Sequence, residues 1–422
     1  MGPDVGSAQN GTYADPGGPT VWGRPVFGSV FDPRHNSLNF LRLFFATLVI
    51  VDHADSVGYL KVFPLIGNVA LGTVAVFCFF GISGFLIAGS AARNRIDHFL
   101  WQRILRIFPA FWVCLIVTAF VFGPIFWLHT SAELHRHGGL STYFNTPTGP
   151  LRYLYHDALL RMNQNSISGT PVEFGVWNAS LWTLFYEFMC YLVLGVLAVI
   201  GLLKRPVVVL WLTAAVIVVE VALAVPQVHL NFDVGKLLSF VPIFLVGALL
   251  YLYRHRIPDS GLLALGSLAL FLVGCWVPLG GPALVFTGVN NGPALFAPFL
   301  AYPVLWLGVH LPLQKVGARN DYSYGMYIFA FPAQILLVIW GLNRWGDGVF
   351  TVLSIVATIP LAVASWWLIE RHALKLKSHG PAEMWHAILR RRSRSDGRPR
   401  SPDRMSTNQD KVPAGPASVG PG

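Results

Sequence analysis

The chain has 422 residues, of which 54% are hydrophobic and only 12% carry a charged side chain. Ordinary soluble domains carry about 25% charged residues, so this chain has too few charges to cover the surface of a soluble protein of its size. Together with a mean hydropathy of +0.56, the composition indicates an all-α polytopic integral membrane protein. It excludes a disordered chain and a disulfide-rich secreted scaffold.

Two polar tails flank the apolar part of the chain. Residues 1–36 are rich in Gly, Pro and Asp and contain no apolar run, which predicts a disordered tail and no signal peptide. Residues 373–422 are rich in Arg, Ser, Pro and Gly and carry most of the net charge of +10. We therefore expect a second disordered tail that lies near anionic lipid and binds no nucleic acid.

Ten apolar segments lie between the tails, each about as long as the ~20 residues that a membrane helix requires. They are 38–57, 68–89, 104–123, 180–202, 206–225, 235–253, 261–280, 292–311, 322–341 and 349–370. With the N-terminus inside, every predicted cytoplasmic connection contains basic residues, as the positive-inside rule requires. These residues are Arg93, Arg95, Lys204, Arg205, Arg254, Arg256, Lys315 and Arg319. This topology places both termini in the cytoplasm and a large outer loop at about 124–179.

Several kinds of site have no convincing signal in the sequence. The outer loop contains His135 and His137, but no third ligand stands at a spacing typical of zinc, so we expect no metal site. The four cysteines form no CxxC pair and are expected to be buried free thiols. Because no Walker P-loop is present, an ATP-driven pump of that kind is disfavoured.

Two ionisable side chains in the first apolar segment need a reason to be in a membrane, where a central charge costs at least about 2.5 kcal/mol. Arg42 and His53 are 11 positions apart. At about 100° per residue they share one helix face, roughly 16 Å apart along the axis. Taken alone, Arg42 fits a snorkelling boundary residue and His53 a hydrogen-bonded histidine of the bundle. Their shared face favours a functional site.

Three further ionisable residues extend this candidate site. Glu187 lies among apolar and aromatic residues at a depth similar to that of His53, so we expect the two side chains to meet. The alternative for Glu187 is a structural hydrogen bond or ion pair. Arg103 and Arg106 are helix neighbours at the predicted cytoplasmic mouth. They fit either positive-inside anchoring or a clamp for phosphate oxygens.

Six short motifs follow one another in a characteristic order. They are Arg42-x10-His53, Phe79-Phe80-x-x-Ser83-Gly84-Phe85, Arg103-x-x-Arg106-Ile107-x-Pro109, Leu181-Trp182-Thr183-Leu184-x-x-Glu187, Ser323-Tyr324-Gly325-x-Tyr327 and Ile369-Glu370. In this order they resemble the motifs of the bacterial membrane-bound acyltransferase 3 family, the O-antigen O-acetylase-like group. The resemblance runs from Asn36 to His372. The chain departs from the family pattern at Asn39, Ala330 and His372, where Asp, His and Pro are frequent.

The resemblance implies that residues 37–372 form a transmembrane domain of the bacterial plasma membrane. This domain would transfer an acyl group, often acetyl, from acyl-CoA to a hydroxyl of a cell-envelope or lipid-linked carbohydrate, with no permanently bound cofactor. It implies His53, Glu187 and Arg42 as catalytic residues, and Arg103 and Arg106 as ligands of the CoA phosphates. His53 would act either as a general base or as a covalent acyl carrier.

Two other classes of function stay open at this point. A transporter of a polar solute or of protons also places Arg, His and Glu within membrane spans. Uptake without thiol release from acyl-CoA would favour that class. A scaffold of envelope assembly with a vestigial site is the third class, and the intact pair of Arg42 and His53 argues against it.

Overall fold

The structure is a computed structural model, and it describes residues 19–58, 65–67, 69–133, 139–171, 174–224, 231–277, 291–378 and 380. The chain is mostly helical, as predicted. Five helices are long and apolar enough to cross a membrane: Leu71–Arg93, Ile96–Thr130, Pro206–Leu223, Phe232–Leu252 and Asp347–Ser378. The predicted count of ten spans is not confirmed, because several predicted segments form apolar helices of only 10–17 residues. The predictions for residues 1–18, for His135 and His137, and for 381–422 concern residues outside the described ones.

The helices follow one another with short connections. In chain order they are α1 Phe27–Val30, α2 Leu38–Gly58, α3 Leu71–Arg93, α4 Ile96–Val117, α5 Gly123–Glu133, α6 Leu140–Phe144, α7 Pro150–Asp157, α8 Thr183–Val199, α9 Pro206–Ala224, α10 Phe232–Leu252, α11 Gly261–Trp276, α12 Asn291–Phe296, α13 Ala301–His310, α14 Ser323–Ile339, α15 Asp347–Ser365 and α16 Arg371–Lys375. Two antiparallel two-stranded hairpins pair β1 Thr20–Val21 with β2 Arg24–Pro25 and β3 Leu65–Ile66 with β4 Val69–Ala70. Two π-helices, Thr118–Phe122 and Trp366–Glu370, continue α4 and α15.

Residues 19–36, which the composition assigns to a flexible tail, are folded. Val26 forms a β-bridge with Pro258, and the backbone N–H of Phe27 donates to the carbonyl of Ile257 at 2.8 Å. The Phe27 ring is buried and meets the ring of Phe85 edge-on. The overall composition, rich in Gly and Pro, does not reveal this folded segment, because two or three apolar side chains suffice to hold a short segment against the protein.

The arrangement of α2 and α14 sets the two ends of the candidate site. Asp321, just before α14, contacts Arg42 near the start of α2. Near the other end, the Gln334 amide donates to the carbonyl of Ile50 at 2.9 Å. The two helices therefore run side by side in the same direction. We call the end at Arg42 the arginine end and the end at His53 the histidine end.

The core centres on α3, which is buried along most of its length and packs closely on α10. A Cβ atom added to Gly84 would lie 2.0 Å from the carbonyl oxygen of Phe244. One added to Gly247 would lie 2.2 Å from the carbonyl oxygen of Gly81. The two backbones thus touch through small residues, which is how membrane helices pack without a hydrophobic driving force between them.

This contact predicts a strong difference between two glycines of the same helix. Gly247→Ala is expected to destabilise the protein by roughly 1–3 kcal/mol, because the added methyl group must push two backbones apart. Gly235→Ala is the matched control, since nothing lies within 4 Å of a Cβ there. It should be neutral or stabilising by up to about 1 kcal/mol. Unfolding in detergent measures both variants, and equal effects would contradict the packing described.

Candidate active site

A basic cavity opens at the arginine end. Its volume is about 300 Å³. Five basic side chains and one acidic side chain line it: Arg42, Arg103, Arg106, Arg319, Lys377 and Asp321. Because the excess of positive charge is concentrated in a small volume, the cavity suits a ligand with several negative charges. Guanidinium groups are especially suited to phosphate oxygens.

Asp321 joins two of the arginines that the sequence singled out. Its Oδ2 accepts hydrogen bonds from Arg42 at 3.2 Å and from Arg106 at 2.6 Å. Its Oδ1 accepts from the Ser323 hydroxyl at 2.5 Å. Burial alone would raise the pKa of the Asp321 carboxyl, but Arg106 and Arg42, together with Ser323, hold that pKa well below its usual range. Asp321 therefore stays ionised and fixes the positions of both guanidinium groups.

A second carboxylate supports Arg106 from behind. Glu370 Oε2 lies 3.7 Å from Arg106, and the Ser365 hydroxyl donates to Glu370 Oε1 at 2.8 Å. Glu370 ends the π-helix Trp366–Glu370, and Trp366 lines the cavity. The wider turn of a π-helix changes which residues face inward, and such turns are frequent at functional sites.

Glu187 lies behind the cavity wall. It accepts a hydrogen bond from the Ser83 hydroxyl at 2.9 Å and another from the Tyr191 hydroxyl. Ser83 and Tyr191 both line the cavity. Glu187 is thus tied to the arginine end, and its hydrogen bonds hold two polar groups of the cavity surface.

The structure does not bring Glu187 and His53 together, although the sequence predicts that they meet. His53 packs against the edge of Phe331, with ring centroids 5.1 Å apart. One helical turn toward the arginine end, Tyr327 contacts Thr183 at 2.5 Å between their hydroxyl oxygens. Glu187 lies one further turn along, so the two residues are separated by roughly 12 Å along the helix axes. Counting residues from the span ends fails here because the helices start at different depths.

His53 is half-buried and, among the described residues, has no hydrogen-bond partner. Its neighbour Asp52 has a structural role at the start of α3. The Asp52 carboxylate accepts hydrogen bonds from the backbone N–H groups of Leu71 and Gly72. A carboxylate at a helix N-terminus satisfies donors that lack an intrahelical partner.

The position of Glu187 predicts a moderate effect of its replacement. For the acyl transfer that the resemblance implies, Glu187→Gln should raise the KM for the acyl donor several-fold and lower kcat much less than a change at His53, because the contacts of Glu187 lie at the cavity. Kinetics at varied donor concentration separate the two parameters. The matched variant Tyr191→Phe removes one donor to the same carboxylate and should act in the same direction. A loss in kcat as large as that of a His53 variant would instead support a direct action of Glu187 on His53.

Sequence reasoning missed three of the residues that line the cavity. Asp321 lies just before the Ser-Tyr-Gly motif, Arg319 was counted only for topology, and Lys377 was assigned to the C-terminal tail. The tail begins later than predicted, because residues 373–378 complete α16 and a 3-10 turn, Leu376–Ser378. The carbonyl of Leu376 accepts from the indole of Trp101 at 3.3 Å, which fixes this turn.

Comparison with known proteins assigns the chain to a family. The family described as "Acyltransferase domain" matches residues 35–370. The chain is 29% identical over 365 residues to an O-acetyl transferase of Shigella phage Sf6, covering 82% of this chain and 98% of that protein. It is 30% identical over 380 residues to Nodulation protein 10 of Rhizobium leguminosarum bv. viciae, covering 82% and 95%. No solved structure matches with significant similarity. The predicted resemblance is confirmed, and the chain belongs to the acyltransferase 3 family.

Proposed function

We propose that the protein is a membrane-embedded O-acyltransferase that moves an acyl group, acetyl in the first instance, from acyl-CoA to a hydroxyl of a cell-envelope or lipid-linked carbohydrate. One observation carries the proposal: α2 begins at a cavity with five basic side chains and carries on the same face His53, which has no hydrogen-bond partner in the described part of the chain. The name of the phage relative, O-acetyl transferase, supports acetyl as the group transferred.

The negative charge of the acyl-CoA donor matches the basic cavity at the arginine end. The length of its acyl arm matches the distance from this cavity to His53. The phosphates of CoA would bind in the basic cavity, where guanidinium and ammonium groups meet their oxygens. The acyl-pantetheine arm would then run along the face of α2 over the roughly 16 Å between Arg42 and His53. Phe45 lies between Arg42 and His53 along α2, and its ring centroid is 6.0 Å from that of Phe79, so apolar side chains surround this part of the helix.

The reaction at the histidine end is an acyl transfer between a thioester and an alcohol. Neutral His53 accepts the proton of the acceptor hydroxyl while the hydroxyl oxygen attacks the thioester carbonyl. The C–S bond breaks, the ester forms, and the CoA thiolate takes the proton from the imidazolium of His53. In the covalent alternative the imidazole attacks first, and the acceptor then takes the acyl group from acyl-His53. The proton and electron balance is the same in both routes.

The proposal fixes an orientation in the bacterial plasma membrane. Because acyl-CoA is cytoplasmic, the arginine end faces the cytoplasm, in agreement with the positive-inside distribution of the loop residues. The histidine end then lies toward the outer face, from which a carbohydrate acceptor would approach. Both termini are cytoplasmic in this arrangement.

The test is thiol release coupled to a mass change. Purified protein in lipid nanodiscs receives acetyl-CoA and envelope glycolipid from a strain that lacks the protein. We expect CoA thiol to appear together with an acetyl mass on the glycolipid. Mass spectrometry of glycans from the same deletion strain should show the acetyl group missing. Solute uptake without thiol release would overturn the proposal in favour of a transporter.

A further inference from the structure

The five basic side chains of the cavity divide into two sets. Arg42 and Arg106 are ion-paired with Asp321, and Arg106 has Glu370 behind it. The second set, which we call the unpaired cations, is Arg103, Arg319 and Lys377. In the part of the chain that the structure describes, no carboxylate lies within 4.0 Å of any unpaired cation. The carboxylates therefore neutralise and position Arg42 and Arg106. The unpaired cations supply the positive charge that a ligand would neutralise.

The unpaired cations occupy different depths. Arg103 lies deepest: among the described residues its Nε is buried without a hydrogen-bond partner, and its guanidinium contacts the Gln102 amide oxygen at 3.3 Å. A buried guanidinium N–H without an acceptor costs roughly 1–3 kcal/mol or more, which a bound anion would remove. Arg319 is exposed, and Lys377 is half-buried between the exposed residues Leu376 and Ser378, so both lie at the rim of the cavity.

Both rim cations stand on backbone that is fixed in place. The loop before Asp321 is held where the Asn39 amide donates to the carbonyl of Gly317 at 3.0 Å. Gly317 has φ +73°, a left-handed conformation that favours glycine. The turn that carries Lys377 is held by the indole of Trp101, which donates to the carbonyl of Leu376. A preorganised pair of cations loses less entropy when it binds an anion than a pair on free chains would.

We infer that Arg319 and Lys377 bind the ribose 3′-phosphate of CoA, and that the enzyme therefore discriminates against donors that lack this group. The inference rests on the proposed function. A donor whose acyl arm reaches His53 keeps its adenosine end at the rim, where these two cations lie. A phosphate monoester carries about −1.5 to −2 charges at pH 7, which two cations balance. The diphosphate of CoA, with one negative charge on each phosphate, would bind the deeper Arg103.

The test compares two donors that differ in one phosphate. For the wild-type protein, kcat/KM for acetyl-CoA should exceed that for acetyl-dephospho-CoA roughly 10- to 100-fold, which corresponds to about 1.4–2.8 kcal/mol for the loss of the phosphate contacts. In the Arg319→Ala/Lys377→Ala double variant this ratio should fall to near one. Lys315→Ala and Lys375→Ala are the matched controls, because both side chains are exposed cations outside the cavity and should keep the wild-type ratio.

Each result has one meaning. Turnover of both donors at equal efficiency by the wild-type protein, or an unchanged ratio in the double variant, would overturn the inference and leave the proposed function intact. Absence of both acetyl-CoA turnover and CoA binding would instead overturn the proposed function, and the inference with it. The assays use nanodiscs of zwitterionic lipid. If added anionic lipid changes the activity of wild type but not of the double variant, while the donor ratio stays near one, the rim binds lipid phosphate and the inference falls.

Discussion

Replacement of His53 by Gln is expected to lower the rate of acyl transfer roughly 10²- to 10⁴-fold and to leave the fold and donor binding intact. Gln is close to His in volume and keeps hydrogen-bonding groups, so the contact with the edge of Phe331 survives in large part. It cannot accept a proton near neutral pH. Since His53 has no hydrogen-bond partner among the described residues, its loss breaks no polar network and leaves little reason for misfolding.

Thiol release in the presence of acceptor measures the effect, and binding of CoA to the purified variant shows that the arginine end is preserved. His372→Gln is the control: this histidine is exposed on α16 and does not line the cavity. It should keep nearly full activity. A His53→Gln variant that transfers acyl groups at the wild-type rate would remove His53 from the mechanism.

A burst experiment on the wild-type protein separates the two routes of transfer. If His53 carries the acyl group, the wild-type protein without acceptor should release about one thiol per active site in a burst and gain the acetyl mass on His53. If His53 is a general base, neither occurs, because no hydroxyl is present to attack the thioester. In the His53→Gln variant the steady rate of transfer with acceptor falls in either route. The burst of the wild-type protein is therefore the observation that distinguishes them.

Local periodicity accounts for what the sequence predicted correctly. Arg42 and His53 lie on α2 as one continuous helix of 21 residues, because the segment is apolar and free of Gly and Pro until its end. Arg103 and Arg106 line one cavity, as neighbours separated by three residues should. The buried, unpaired state of Cys78 was also predicted from its apolar surroundings.

The parts that sequence reasoning missed all depend on contacts between distant segments. Arg106 meets Asp321 across 215 positions, and no local pattern announces that pairing. Glu187 was predicted to contact His53 from its depth in the membrane alone. In the structure, the packing of α8 against α3 places the Glu187 carboxylate beside the Ser83 hydroxyl instead. Residue composition likewise hides how Phe27 anchors the N-terminal segment. Packing between distant segments determines these contacts, and the spacing of residues within one helix does not predict it.

Asp321→Asn should be the most destabilising single change at the arginine end, with a loss of about 3–5 kcal/mol in the free energy of unfolding. The carboxylate is the shared partner of Arg42 and Arg106, and the side chains of Arg106 and Asp321 are only 13% and 14% exposed. Asn keeps the shape and an acceptor for Ser323 but removes the charge. Two guanidinium groups are then left close together in a poorly hydrated site without a counterion, which raises the free energy of the folded state.

The matched control is an ion pair of the same length in a hydrated place. Asp233 lies 2.7 Å from Arg161, against 2.6 Å for Asp321 and Arg106, but the Asp233 and Arg161 side chains are 34% and 59% exposed. Water and salt screen this pair, so Asp233→Asn should cost only about 0.2–1 kcal/mol. Unfolding in detergent compares the two variants. If Asp321→Asn were no more destabilising than Asp233→Asn, Arg42 and Arg106 would not depend on the Asp321 carboxylate for their stability. Both would then belong with the unpaired cations of the cavity.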